Sequence, residues 1–203
     1  MNVEFSKNRR ALIVLHEIYG VNRFVQRQCE KFREAGYDVF CPDLLGRPPF
    51  LYEESEEAYA YFQSRVGFEV YRKIGSLMDR LKEKYDRVFV IGYSVGAMVA
   101  WRCCENPSCG GIVACYGSRI RDYADVHPVC PALLLFANEE AFDVHALAGR
   151  LENKPRVTVS EFNARHGFLD FCSERFDSRQ AARAEESIAR FLNECAYSIS
   201  TLN

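Results

Sequence analysis

The stretch from Arg87 to Trp101, RVFVIGYSVGAMVAW, decides the fold of this chain. After the arginine, its first residues run apolar to Ile91 with β-branched side chains, which suits a strand buried on both faces. From Ala97 to Cys104 the residues favour a helix. Between the two lies Gly92-Tyr93-Ser94-Val95-Gly96, a turn so tight that glycine is required two residues to either side of the serine. A Gly-x-Ser-x-Gly pattern alone arises by chance; between a strand and a helix it is specific. Such a turn lifts the Ser94 hydroxyl above the carboxyl edge of a sheet, and the following N–H, of Val95, faces the same space at a helix N-terminus.

Outward from this stretch, strands and helices alternate. Ala11 to Leu15 reads as a buried strand, Phe24 to Ala35 as a helix ended by Gly36, and Tyr37 to Cys41 as a strand closed by Pro42. Phe68 to Leu81 carries apolar residues at helical spacing. Gly111 to Cys115, Pro131 to Ala137 and Arg156 to Phe162 read as further strands. Asp143 to Leu151 and Ser173 to Cys195 read as helices. Pro48 to Ser64 breaks the rhythm: its aromatic residues among glutamates suggest an excursion with a short acidic helix, either packed on the core or overhanging a cleft through Phe50, Tyr52 or Tyr59. The expectation is one α/β domain over residues 1–203, with a mostly parallel sheet covered by helices on both faces.

Composition narrows the function classes. With 26 Lys plus Arg against 28 Asp plus Glu, the net charge of −2 carries no electrostatic case for nucleic acid or an anionic membrane. No apolar run approaches the ~20 residues that span a bilayer. Met1 to Arg10 is polar and lacks the pattern of an export signal, so a cytoplasmic protein is expected. The 9 cysteines are odd in number and lie mostly in apolar segments, which fits buried, reduced thiols. Cys103, Cys104 and Cys109 lack a nearby histidine or a second cysteine pair, so no metal site is expected. The 15 phenylalanines and 11 tyrosines are compatible with a homodimer without arguing for one.

A serine hydroxyl needs a base to take its proton. Of His16, His127, His145 and His166, only His166 sits on a loop between the last strand and the last helix, where a serine elbow on a parallel sheet meets its histidine. His127 and His145 read as solvated. The acid that would hold the imidazole belongs after Pro131 to Ala137, where Glu139, Glu140 and Asp143 are candidates. Spacing from the strand favours Glu140, with Asp143 second; either could instead serve a helix N-terminus. Glu17, at the carboxyl edge of the first strand, would meet the same cleft.

Taken together, LHEIYGVN at 15–22, GYDVFCPDLLGR at 36–47, GYSVGAMVAW at 92–101, the Tyr116-Gly117 pair and RHGF at 165–168 resemble the dienelactone hydrolase family. The resemblance implies a cap-less α/β-hydrolase fold and cofactor-free hydrolysis of small esters or lactones. It implies Ser94 as nucleophile, His166 as base, Glu140 as acid, Glu17 as the glutamate beside the nucleophile, and the N–H groups of Ile18 and Val95 as the oxyanion hole. The chain departs from the family pattern in three places. Ser94 stands where the best-known members carry cysteine, and a glutamate stands where they carry an aspartate. Leu169-Asp170 follows His-Gly-Phe where an arginine would hold a substrate carboxylate, a role that Arg23 or Arg47 could take over. A serine-dependent ester or lactone hydrolase is the expected function. A thioesterase or acyltransferase and a non-catalytic ligand-binding protein are its rivals.

Overall fold

The protein is described here by a computed structural model, which places residues 9–197. Six strands form one sheet: β1 (Arg10–Leu15), β2 (Asp38–Phe40), β3 (Arg87–Tyr93), β4 (Gly111–Cys115), β5 (Ala132–Asn138) and β6 (Val157–Arg165). Their order is β2-β1-β3-β4-β5-β6, and every pairing is parallel. Parallel neighbours need crossovers, which the helices supply: α1 (Arg23–Glu34), α2 (Ser55–Tyr61), α3 (Tyr71–Lys82), α4 (Val95–Cys103), α5 (Val144–Glu152) and α6 (Ser178–Tyr197).

The alternation of side chains along each strand divides the core in two. Ala11, Ile13, Val88, Val90, Ile112 and Leu134 face α3, α4 and α5, where Ile74, Met78, Met98, Trp101 and Leu151 meet them. Leu12, Val14, Phe89, Ile91, Val113 and Leu135 face α1 and α6, where Phe24, Val25, Ile188 and Leu192 meet them. With both faces covered, β1, β3 and β4 are buried almost throughout, which is why they read as continuous apolar runs.

The last helix begins later than its sequence suggests. Asp177 Oδ1 accepts the N–H groups of Arg179 and Gln180 at 3.1 and 3.0 Å, so α6 starts at Ser178, and residues 173–177 remain available to the cleft. The 48–66 excursion forms no separate cap. Phe50, Ala58 and Phe62 bury against Leu45 and Val95 in a third, smaller apolar cluster.

The strand order changes direction at β1: β2 lies on one side of it and β3 on the other. In open α/β sheets the carboxyl ends of the two strands at such a switch leave a crevice between them. Here Leu15 pairs with Gly92, so the loop after β1 and the turn after β3 open into one space.

Candidate active site

The turn after β3 is held by contact. A Cβ on Gly92 would overlap the Gly96 carbonyl, and one on Gly96 would lie 2.5 Å from Leu15 O and 2.6 Å from His16 O. Both positions therefore exclude every larger residue while the turn keeps this shape. Ser94, between them, has φ 54 and ψ −113, a conformation that costs an L-residue free energy and persists because the packing on either side imposes it.

That conformation presents the Ser94 hydroxyl to the loop after β6. Ser94 Oγ lies 2.8 Å from His166 Nε2, and His166 Nδ1 lies 2.6 Å from Glu139 Oε1. The imidazole is 24 % exposed and the Glu139 side chain 16 %, which limits solvent screening while leaving the histidine accessible. The Tyr116 ring packs edge-on against the imidazole, 5.1 Å between centroids, and Phe168 supports Tyr116 in turn. Serine, imidazole and carboxylate thus form a continuous hydrogen-bonded line.

The carboxylate is Glu139, not Glu140. Glu140 is exposed, and Asp143 is the N-cap of α5, its Oδ1 accepting Ala146 N–H at 2.9 Å. The cause is an irregular register. Phe136 pairs with Glu161 but Asn138 with Arg165, so β6 contributes two extra residues at this edge. Glu139 and His166 directly follow that last pair and meet, whereas the next residue, Glu140, is exposed.

Glu17 is buried, at 4 % exposure. Its Oε1 and the Tyr116 hydroxyl are both fully enclosed, and neither finds a partner beyond a weak contact with the other. Burial pushes the Glu17 carboxyl up to about 7; the His166 charge opposes the rise, Asp170 adds to it, and Tyr116 and Arg175 oppose it. His16, beside it, is structural. Leu44 N–H donates to its Nε2 at 2.9 Å and its Nδ1–H donates to Glu17 O at 2.6 Å, while burial lowers its pKa and keeps it neutral.

Two cavities meet at Ser94, sharing Ile18, His166 and Arg175 in their walls. One, about 660 Å³, extends past Glu17, Tyr19, Tyr52 and Asp170. The other, about 320 Å³, extends past Val95, Tyr59, Arg119 and Arg121. A further cavity of about 650 Å³ between α1 and α6 contains none of these residues. The excursion answers both of its sequence readings: Phe50 is core, whereas Tyr52 and Tyr59 wall the cleft.

Asp170 does not meet a substrate-binding arginine here. It is 1 % exposed, accepting Tyr52 O–H at 2.6 Å and Cys172 N–H at 2.9 Å. Neither Arg23 nor Arg47 takes the arginine's place: Arg23 lies over Phe171 and Arg47 over Phe50, at 5.8 and 3.6 Å from the ring centroids, and neither lines the Ser94 cavities. Sequence reasoning missed Arg119, Arg121 and Arg175. The first two stand just beyond Tyr116-Gly117 at the carboxyl end of β4, an edge position legible in the sequence, whereas Arg175 falls within the helix that the sequence predicts from Ser173.

His127 is exposed in its loop, and His145 is exposed on α5, where its Nδ1 lies 3.0 Å from Glu161 Oε1. All nine cysteines are free. Among the described residues, no group of three or more His, Cys, Asp or Glu could hold a metal ion, and no helix is long and apolar enough to cross a membrane.

The sequence model of the dienelactone hydrolase family matches residues 3–196. The uncharacterized protein YczH of Bacillus subtilis (strain 168) is 39% identical over 164 residues, 78% of this chain and 80% of that protein. The carboxymethylenebutenolidase of Pseudomonas putida is 25% identical over 202 residues, 89% of this chain and 84% of that enzyme. Among solved structures, a candidate dienelactone hydrolase from Klebsiella pneumoniae superposes with a TM-score of 0.76 at 18% identity, over 95% of this chain and 90% of that one. The likeness extends through all the elements that carry Ser94, His166 and Glu17, and this chain belongs to the dienelactone hydrolase family, a hydrolase of the α/β-hydrolase fold.

Proposed function

We propose that the protein is a serine-dependent hydrolase of small carboxylic esters or lactones. The observation that carries this reading is the unbroken line from Ser94 Oγ through His166 to Glu139, at 2.8 and 2.6 Å, on a turn that holds the serine at positive φ. In this reading His166 Nε2 takes the proton of Ser94 as Oγ attacks the carbonyl carbon. Glu139 accepts the Nδ1–H, which fixes the tautomer and stabilises the imidazolium. The N–H of Val95, first residue of α4 and so without an acceptor one turn earlier, and that of Ile18 bind the oxyanion. His166 then protonates the departing alkoxide, leaving an acyl-Ser94. Water attacks that ester with His166 again as base, and Ser94 is regenerated. Glu17 lines the same cavity as Ser94, and in this reading its buried carboxyl, raised to about 7, acts beside the serine hydroxyl rather than on a thiolate.

Neither Glu140 nor Asp143 contacts His166, which would have favoured a non-catalytic binding role, but Glu139 lies 2.6 Å from His166 Nδ1 and supports the catalytic reading instead. A reducing compartment such as the cytoplasm is part of the proposal, supported by the nine free cysteines.

Labelling with a fluorophosphonate, followed by mapping of the modified residue, tests the proposal, because such reagents require an activated serine. Modification of Ser94 that disappears in His166→Ala is expected. Folded protein that resists labelling would overturn it in favour of ligand binding without turnover. Adding an alcohol or thiol acceptor during turnover separates hydrolysis from acyl transfer.

A further inference from the structure

The cavity between α1 and α6 shares no residue with the two arms of the cleft at Ser94. It continues along the helices into a second, apolar space of about 190 Å³ walled by Phe32, Tyr37, Ile188 and Leu192. The lining residues advance together along both helices, from Arg23 and Ser178 at one end to Ala35 and Asn193 at the other. One groove therefore follows the helix pair, and Gln28, Lys31 and Glu185, which line both spaces, mark their junction.

At the junction Lys31 Nζ lies 2.6 Å from Glu185 Oε1, and both side chains are partly exposed, which sets this ion pair at the rim. Gln28 is buried, at 4 % exposure, and its side-chain amide makes no hydrogen bond with any described residue. Enclosed amides in folded proteins are nearly always paired, because an unpaired one forfeits its bonds to water. An amide left open toward two cavities points to a ligand that supplies those bonds. Donor and acceptor stand side by side in a primary amide, and a second amide matches both. The larger space also holds three cations. Arg27 is engaged by Glu30 and Glu34 at 3.1 and 3.4 Å, and Lys31 by Glu185. Arg23 has no ion pair among the described residues, and its guanidinium lies 5.8 Å from the ring centroid of the exposed Phe171.

We propose that this groove binds an amphipathic acyl amide, with an apolar chain in the smaller space, an amide on Gln28 and an anionic head at Arg23. The order of these groups along the helices sets their spacing. Gln28 follows Arg23 by five residues, about 7.5 Å of helix, so a few methylenes separate the amide from the head. Burial of the chain against Phe32, Ile188 and Leu192 drives binding, while the amide and the charge fix its direction. The inference is independent of the esterase reading, since none of these residues belongs to the line from Ser94 to Glu139.

Calorimetric titration of the wild-type protein with 4-(octanoylamino)butanoate tests the site. Saturable binding with one site per chain is expected, at a dissociation constant below about 1 mM. Gln28→Leu removes the amide at similar volume and should weaken this ligand about ten-fold. The same variant should leave tridecanoate, which matches the chain length without the amide, unweakened. Arg23→Gln should weaken both ligands. Ala189→Glu, an exposed substitution on α6, sets a carboxylate at the apolar space and should weaken both as well. Thermal melting confirms the fold of each variant. Should Gln28→Leu melt early, Arg23→Gln and Ala189→Glu, both at exposed positions, read the same groove. Failure to saturate in the millimolar range would overturn the proposal. Binding undiminished in these variants would place the ligand elsewhere, the Ser94 cleft included, and overturn the groove as its site. Equal weakening of both ligands by Gln28→Leu would overturn the role of the amide.

Discussion

The Tyr52 hydroxyl donates a 2.6 Å hydrogen bond to Asp170 Oδ2 and accepts one from Asn22 Nδ2 at 3.2 Å, tying the 48–66 excursion to the loop that follows His166. The edge-on contact of Tyr52 with Tyr19, 4.8 Å between centroids, completes the attachment. One wall of the cleft is therefore anchored through a buried carboxylate.

Tyr52→Phe keeps the ring and removes the donor, leaving an enclosed carboxylate oxygen short of a partner. A loss of about 1–3 kcal/mol in denaturant unfolding is expected. KM for esters that fill the larger arm should rise more than kcat falls, since the reacting groups stay in place. Unchanged stability and unchanged KM would show that the bond positions nothing.

Glu139→Gln should lower kcat by about 10²–10⁴-fold, the scale seen when the acid that orients a catalytic histidine loses its charge. Glu140→Gln should stay within a few-fold of wild type. Asp143→Ala should cost about 1 kcal/mol as a lost helix cap and leave kcat nearly intact. Steady-state kinetics of the three variants side by side reads the assignment; a large kcat effect at Glu140 instead of Glu139 would reject the register described above.

Glu17 makes stability depend on pH. The folded chain keeps this carboxyl protonated to about pH 7, whereas its ordinary value is 4.5. Between those values the unfolded chain has released the proton that the folded chain still holds, so this group's effect is to lower stability as pH rises, with the loss complete above about 7. Glu17→Gln removes the loss and should gain on the order of 2–3 kcal/mol at pH 8 relative to pH 4. Denaturant midpoints of the two proteins across this range check it. A constant difference between them would mean that the carboxyl titrates alike in both states.

Gly96→Ala places a methyl group 2.5 Å from Leu15 O, where backbone on both sides prevents relief. A destabilisation above about 3 kcal/mol, or failure to fold, is expected. Gly149→Ala, on the exposed face of α5 with no atom within 4 Å of the added carbon, should be neutral or stabilising by up to about 1 kcal/mol. Thermal or urea unfolding of the pair separates the two environments.

The sequence by itself determined the alternating parallel architecture, the serine turn and its histidine. Each is written in local chemistry: continuous apolar runs can be satisfied only by strands covered on both faces, the glycines at 92 and 96 admit no Cβ, and His166 stands on the loop that the element order brings to the serine. Helix ends shifted by a few residues because caps such as Asp177 act through geometry that periodicity does not register. Tertiary structure alone decided which carboxylate meets His166, since the two extra residues in β6 that bring Glu139 opposite it follow from pairing between strands and leave no signature in either one. It also decided that Asp170 holds Tyr52, and that Arg119 and Arg121 line the same cavity as Ser94. Those contacts join residues far apart in the chain, and their partners are selected by where the loops converge at the carboxyl edge of the sheet.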